Sequence, residues 1–356
     1  MGAARGGRAG ADILAVVQDL AAAESKAVLQ VEGHELPVTN LDKHLWPGNT
    51  KRDLLIYLAR ISPWLLPHLS GRPVFVTRFP NGVGGKSFYQ KVWDARPAFV
   101  KTVSIWSKDS GTSRDYLLCA NLATLLWLGQ QAALELHVWF SSTAAGRDGR
   151  ALPTRYGDSE AALERSRLNY PDFIVFDLDP YQYSGREAAG AEPELYRPAF
   201  TRARRLAFDL REITATLGLE VFVKTSGRTG LHLYLPIRRR FTFGEVRAMA
   251  ETIGRHLQAR HPRDVTLEWA VERRTGKIFF DYNQNVRGKS LAAAFSPRRH
   301  QLATVSMPLA WDELEHVYPT DFTITSAPAI LADRGDPWAG MLDAKADLGA
   351  QIARAG

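Results

Sequence analysis

The stretch Phe173-Ile-Val-Phe-Asp177-Leu-Asp179-Pro180 constrains this chain more than any other. Four β-prone apolar residues lead into two carboxylates, and a proline that cannot donate to a ladder closes the run. Side chains alternate along a strand, so Asp177 and Asp179 share one face while Phe176 and Leu178 take the other. Two carboxylates that close repel unless a cation or a shared proton intervenes. Hard oxygen ligands at a strand end suit magnesium or manganese. Taken alone, an Asp-x-Asp fits two solvated loop carboxylates equally well.

Two further stretches change that balance. In Lys224-Thr-Ser226-Gly-Arg-Thr-Gly230-Leu-His232-Leu-Tyr-Leu-Pro236, a Ser and two glycines between strands predict a turn whose backbone N–H groups point at an anion. His232 and Tyr234 then share the polar face of the second strand, although an ordinary hairpin with a surface histidine reads the same way. Lys277-Ile-Phe-Phe-Asp281-Tyr-Asn-Gln-Asn285 is a strand ending in a third carboxylate. Arg273 and Arg274 precede it, and Arg287, Lys289, Arg298 and Arg299 follow. Three carboxylates ringed by cations and a glycine turn can hold two metals and a triphosphate, the needs of nucleotidyl transfer.

The remaining pattern is that of a folded, mixed protein. Hydrophobic residues make up 45% of the 356, ample for a core, and the net charge of +7 suits a polyanionic partner. One cysteine, Cys119, makes neither an internal disulfide nor a Cys-rich zinc site. The N-terminus lacks a signal peptide's apolar stretch, and no segment reads as membrane-spanning, so a cytoplasmic protein without membrane contact is expected. Residues 1–10 read as a mobile leader, followed by a helix from Asp12 to about residue 23. A hairpin is expected at 28–31 and 35–38, and a helix at 51–60 that loses its regularity at Pro63. Strands follow at 72–79, 100–106, 115–119 and 136–140, with a helix at 122–134. Residues 141–170 break the rhythm and read as an inserted connector carrying a helix at 159–168. Beyond it come strands at 173–179, 220–225, 231–237 and 277–282, and helices at 194–217, 243–260, 311–316 and 344–355. Strands mixed with long helices, without strict βαβ alternation, predict an α+β fold with mixed or antiparallel central sheets flanked by helices.

The N-terminal part interleaves cations with aromatics: Lys43, His44, Trp46 and Lys51, then Lys86, Phe88, Tyr89, Lys91 and Trp93. Such a mixture serves nucleic acid, with cations on phosphates and rings on bases. The competing expectation is that Trp46 and Phe88 are core residues.

These motifs together resemble the polymerase domain of bacterial DNA ligase D, of the archaeo-eukaryotic primase superfamily, which works in non-homologous end joining. The resemblance runs from about 28 to 325. It rests on Thr39-Asn-Leu-Asp-Lys-His-Leu-Trp-Pro47, Pro80-Asn-Gly-Val83, Ser87-Phe-Tyr-Gln-Lys91 and Ala133-Leu-Glu-Leu-His137, besides the three stretches above. It implies a primase-polymerase catalytic domain with an RRM-like core at 28–325, preceded by a leader and helix at 1–27 and followed by an extension at 326–356. It further implies that Asp177, Asp179 and Asp281 hold two divalent metals, Mn2+ or Mg2+. Ser226, His232, Arg274, Lys289 and Arg298 would contact an incoming nucleoside triphosphate, with His137 beside them. Asn40, Lys43 and Lys51 would bind the 5′-phosphate of DNA at a gap or break, and Phe88 and Tyr89 would stack on the template. The expected activity is primer extension across short gaps, with a preference for ribonucleotides, in the bacterial cytoplasm at the nucleoid. Ku and a separate DNA ligase are the expected protein partners.

Departures from the family pattern are specific. Thr229 stands where the family commonly has a basic residue, and Arg228 is the substitute. No Lys-x-Asp-Gly occurs, so the adenylated lysine of a ligase has no counterpart, and a polymerase alone or one cut from a longer chain is expected. Three other activities compete. A de novo primase would start chains on a bare single strand. A non-catalytic module would bind DNA ends without incorporation. A phosphatase with an aspartyl nucleophile would share the Asp-x-Asp but leave the Ser-Gly-His stretch unexplained.

Overall fold

The computed structural model describes residues 2–145, 151–181, 183–186 and 194–350. Helix α1 (Gly2–Ala22) begins ten residues before the expected start. Glu32 and Gly33, with φ of 52° and 81°, make the mirror-image two-residue turn that matches strand twist. They join β1 (Lys26–Val31) to β2 (His34–Thr39). A small ribbon of β3 (His44–Trp46) and β4 (Asn49–Thr50) leads into α2 (Lys51–Leu69), where Thr50 and Asp53 form a capping box. This helix runs through Pro63 and Pro67, past the expected break. Its buried residues, among them Leu54, Leu58, Ile61 and Leu65, override the local penalty of the prolines.

One six-stranded sheet gathers β5 (Pro73–Arg78), β6 (Phe88–Gln90), β7 (Lys101–Ser107), β8 (Thr112–Leu118), β9 (Ala133–Trp139) and, from much later in the chain, β15 (Ser290–Ala292). Between β8 and β9 lies α3 (Leu122–Gln130), four residues shorter than expected because Ala132 turns left-handed at φ 55° and β9 begins at once. The connector is integral to this half. Its α4 (Glu160–Arg165) brings Leu163, and nearby Tyr156 and Leu168, into a second small core with Phe75, Ile105 and Trp139.

The second six-stranded sheet has the order β13-β14-β10-β12-β11-β16. It comprises β10 (Phe173–Asp179), β11 (Phe222–Thr225), β12 (Leu231–Pro236), β13 (Val265–Thr266), β14 (Ile278–Asp281) and β16 (Pro308–Leu309). All its pairings are antiparallel except that of β13 with β14. Its back is covered by α5 (Arg197–Thr216), which Gly218 ends at φ 67°, and by α6 (Phe243–Arg260), capped by Thr242 and Glu245. The chain therefore has the expected α+β architecture with antiparallel sheets flanked by helices.

The last segment packs onto this sheet instead of trailing away. Helix α7 (Ala327–Arg334), unforeseen in the sequence, precedes Trp338, which is buried against Tyr234 and donates to the Val223 carbonyl at 3.0 Å. The expected helix at 311–316 is a single 3-10 turn at Glu313–Glu315. Of the one expected at 344–355, the part after residue 350 lies outside the described residues. Beneath the second sheet, buried Asp172 collects Arg72 at 3.0 Å, Lys345 at 2.9 Å and Arg239 at 3.4 Å. This ties the first sheet's entry strand to the segment after α7.

Candidate active site

Four chemistry-bearing residues line up across four strands. Lys224 on β11 pairs with His232 on β12, His232 with Asp177 on β10, and Asp177 with Asp281 on β14. Cross-strand partners project to the same side, so this row shares one face with Asp179 and its partner Phe279. The opposite face, Phe176, Leu178 and Phe280, is fully buried. Close approach depends on Gly230, where a Cβ would lie 2.3 Å from the Leu178 carbonyl oxygen.

The acids carry more negative charge than their surroundings neutralise. Burial, reinforced by Asp179 and Asp281, holds Asp177 well above the usual carboxylate range. Burial likewise raises Asp179 against the Tyr181 amide and Arg274, and raises Asp281 against Lys289, Asn283 and Arg274. Gln284 Nε2 donates to Asp281 Oδ2 at 3.1 Å and lies 3.4 Å from Asp177 Oδ2, bridging two acids. Asp179 and Asp281 each accept a nearby backbone amide at 2.9 Å. Among the described residues no group of three acidic, histidine or cysteine side chains is drawn tightly enough to hold a metal ion as it stands. The donor set nonetheless fits a hard divalent cation: carboxylate oxygens from adjacent strands on one face, with raised affinity for any positive charge.

At the other end of the row Lys224 is completely buried, its Nζ 2.8 Å from His232 Nδ1 and 2.5 Å from Ser306 Oγ. The Ser306 hydroxyl donates to the Thr225 carbonyl at 2.8 Å, which leaves its oxygen to accept from Lys224. Where Nδ1 accepts from the same amine, the neutral imidazole carries its proton on Nε2. That nitrogen lies 3.6 Å from Asp177 Oδ1. Burial and the cations Lys224 and Arg298 keep His232 well below the usual histidine range, so it is neutral.

Next to the acids a cavity of about 390 Å³ is lined by Ser226, Arg228, Thr229, His232, Arg298, His137 and Ser290, together with Asp177 and Asp179. The predicted backbone nest is not what faces it. The amides of Arg228 and Gly230 donate to Ser226 Oγ at 3.2 and 3.0 Å, and the Ser226 amide donates to the Gly230 carbonyl. What the turn offers an anion is the Ser226 hydroxyl and the Arg228 side chain. Arg228 and Thr229 both line the cavity. Arg228 reaches Glu135 at 2.8 Å, where Arg298 at 3.6 Å and His137 at 3.5 Å also converge. Burial alone would raise Glu135, but Arg298, His137 and Arg228 hold it well below the usual carboxylate range. Glu135 thus fixes the cations in place. Arg274 and Lys289 act on Asp281 and are not among the residues lining this cavity.

A second cationic group lies on the N-terminal side. Asn40 adopts a left-handed conformation at φ 55°, and its carbonyl accepts the Lys43 amide. Lys43 Nζ donates to Asn81 Oδ1 at 3.0 Å, and Lys51 Nζ to the Gln130 carbonyl at 3.2 Å. Burial, with the charge of Lys43 beside it, lowers the Lys51 pKa. The structure therefore brings Asn40, Lys43 and Lys51 together. A wider groove of about 820 Å³ runs from His44–Pro47 and Asn81 to Arg299 and Leu302. Trp46 is core, its Nε1 donating to the Arg298 carbonyl, whereas Phe88 and Tyr89 are exposed on β6. Tyr89 lies edge-on to His137 at 5.9 Å, which puts it at the rim of the anion cavity.

Lys224, Glu135 and Gln284 carried no role in the sequence reading. Period-two spacing was the available signal for two of them: Lys224 precedes Ser226, and Glu135 precedes His137, by two residues along a strand. Gln284 acts from a 3-10 turn (Tyr282–Gln284), whose direction no strand pattern gives. Asn285 is structural: its amide pairs with the Val175 backbone at 2.8 and 2.7 Å, extending the ladder where β14 has ended.

Comparison with known proteins agrees with this arrangement. A sequence profile described as the LigD primase-polymerase domain matches residues 50–338. The chain is 31% identical over 320 residues to the bifunctional non-homologous end joining protein LigD of Bacillus subtilis, covering 87% of this chain and 45% of that protein. It is 32% identical over 280 residues to the multifunctional LigD of Mycolicibacterium smegmatis, covering 78% of this chain and 32% of that one. The chain thus spans less than half the length of these relatives. The solved polymerase domain of Mycobacterium tuberculosis Ligase D in complex with DNA superposes with a TM-score of 0.72 at 28% identity, covering 87% of this chain and 99% of that one. The profile match and the shared fold, over most of the chain, make it a member of the LigD primase-polymerase family of nucleotidyltransferases.

Proposed function

We propose that this chain extends primer strands at DNA breaks and short gaps during end joining, under template direction and with ribonucleotides preferred. The observation that supports this best is the row Lys224, His232, Asp177, Asp281, which sets an anion-holding half beside an acid half on one sheet face. Asp177, Asp179 and Asp281 would hold a pair of magnesium or manganese ions, which when bound lower the pKa of the primer hydroxyl and stabilise a departing pyrophosphate. Ser226, His232, Arg228, Arg298 and His137 would grip the triphosphate in the cavity beside the acids. Arg298 and Arg228, already oriented by Glu135, meet the growing equatorial charge without reorganisation. Arg274 and Lys289 answer charge at Asp281. Asn40, Lys43 and Lys51 would take a downstream 5′-phosphate, and Phe88 and Tyr89 would stack on template bases.

The partners that follow are gapped or broken DNA, nucleoside triphosphates, Ku and a separate ligase, in the bacterial cytoplasm. The Mycobacterium tuberculosis neighbour was solved with DNA, and among the described residues no helix is long and apolar enough to cross a membrane. The test is extension of a labelled primer across a short gap with manganese, comparing ribo- with deoxyribonucleotides and a 5′-phosphate with a 5′-hydroxyl. Templated addition that improves with the phosphate is expected. Product on a bare single strand would instead assign de novo priming, and tight salt-sensitive binding without incorporation would assign an end-binding module.

A further inference from the structure

The acid face does not end at Asp179. Its cross-strand partner Phe279 continues that face, and Trp269, just past the edge strand β13, packs edge-on against Phe279 with ring centroids 6.0 Å apart. Trp269 is 60% exposed. A lone exposed apolar side chain needs no explanation, but this one is held and flanked. Arg274 lies 3.6 Å from the Phe279 ring and donates to the Trp269 carbonyl at 2.7 Å and the Glu268 carbonyl at 3.3 Å. The Arg274 guanidinium and Lys289 Nζ both lie within 6 Å of the Trp269 ring, at 5.7 and 5.8 Å. The same two cations act on Asp281, which links the ring to the acids. Glu268, the nearest acid in sequence, is paired with Arg273 at 3.5 Å.

We propose that Trp269 is the platform on which the base at the 3′ end of the primer strand stacks, with Arg274 and Lys289 meeting the adjoining backbone phosphates. This rests on the polymerase reading above. Phosphoryl transfer places the attacking hydroxyl and the leaving group roughly in line, on opposite sides of the reacting phosphorus. The anion cavity lies on the His232 side of the acids, so the hydroxyl arrives from the Phe279 side, where Trp269 stands. Phe88 and Tyr89 are exposed on β6 of the other sheet, Tyr89 at the cavity rim, and are assigned above to the template strand. Rings stack on any base because every base has a π-face, while the flanking cations track the backbone.

The experiment places 2-aminopurine at the primer 3′ end of a gapped duplex and follows its fluorescence on binding, alongside steady-state extension. Wild type is expected to quench the probe. Trp269→Ala is expected to lose that quench and to raise the KM for primer-template by about tenfold, in the range that base–aromatic stacking supplies. The KM for nucleotide and the unfolding temperature are expected to stay unchanged, and Trp269→Phe to recover most of the loss. A probe in the template strand serves as control and is expected to respond equally in wild type and variant. Unaltered quenching and primer KM in Trp269→Ala would overturn the proposal while leaving the polymerase reading intact. A rise confined to the nucleotide KM would also overturn it, by moving the ring to the incoming base. If wild type extends no primer, the polymerase reading fails separately, and the quench still decides whether Trp269 holds a strand end.

Discussion

Lys224 Nζ lies 2.8 Å from His232 Nδ1 in the interior of the second sheet, and the two residues are direct cross-strand partners. A buried amine is costly unless its donors are used. Here they are spent on His232 and on Ser306, which in turn is anchored to the Thr225 carbonyl. With Lys224 as the donor, His232 presents an Nε2–H to Asp177 and the cavity.

Lys224→Met keeps the length of the side chain and removes the donor. We expect the nucleotide KM to rise about ten- to a hundredfold, as for loss of a buried hydrogen-bond partner, while affinity for DNA is retained. The 15N shifts of His232 are expected to change from the Nε2–H to a mixed tautomer. A variant that keeps both the wild-type nucleotide KM and the wild-type imidazole shifts would contradict the assignment.

The contrast between Lys224 and the aspartates shows what sequence makes legible. Asp177 and Asp179 announce a shared face because alternation along one strand fixes it, and β10 has the expected bounds, Phe173–Asp179. Helix α6 likewise follows its expected span, bounded by Thr242 and residue 260. Lys224 needed the register between β11 and β12, which the length and shape of the turn between them set and alternation along one strand does not. The path of α2 through Pro63 and Pro67, and the second core built by Tyr156, Leu163 and Leu168, were hidden too. In both of these tertiary burial, rather than local propensity, decided the outcome.

Burial first, and then the adjacent charge of Lys43, lowers the pKa of Lys51, so a phosphate there would relieve repulsion between the two lysines. Lys51→Ala is expected to abolish the advantage of a 5′-phosphate over a 5′-hydroxyl in gap binding, a loss of about tenfold or more in affinity. Extension on substrates lacking the phosphate is expected to change little. Equal sensitivity to both substrates would remove Lys51 from the phosphate site.

His68 packs between Phe295 and Trp338, and burial, with Arg72 and Lys224 nearby, lowers its pKa from 6.5 to about 3. The folded chain keeps it neutral, whereas the unfolded chain binds a proton as pH falls past 6.5. Its contribution to stability is therefore complete above pH 6.5 and is lost as pH falls toward 3, by about 5 kcal/mol across that window. Chemical denaturation at several pH values, comparing wild type with His68→Phe, is expected to show the difference in slope within that window. Parallel curves would contradict it.

On the proposed function, nucleotidyl transfer takes place on the shared face of Asp177, Asp179 and Asp281. Because burial and mutual repulsion raise Asp177, an amide there relieves charge that the fold otherwise tolerates. The most direct measurement is single-turnover extension of a gapped primer by wild type and Asp177→Asn, with DNA affinity and unfolding temperature measured on the same samples. The expected result is a rate lower by on the order of a thousandfold or more, DNA affinity near wild type, and an unfolding temperature equal to or above wild type. Extension by Asp177→Asn at close to the wild-type rate would contradict it.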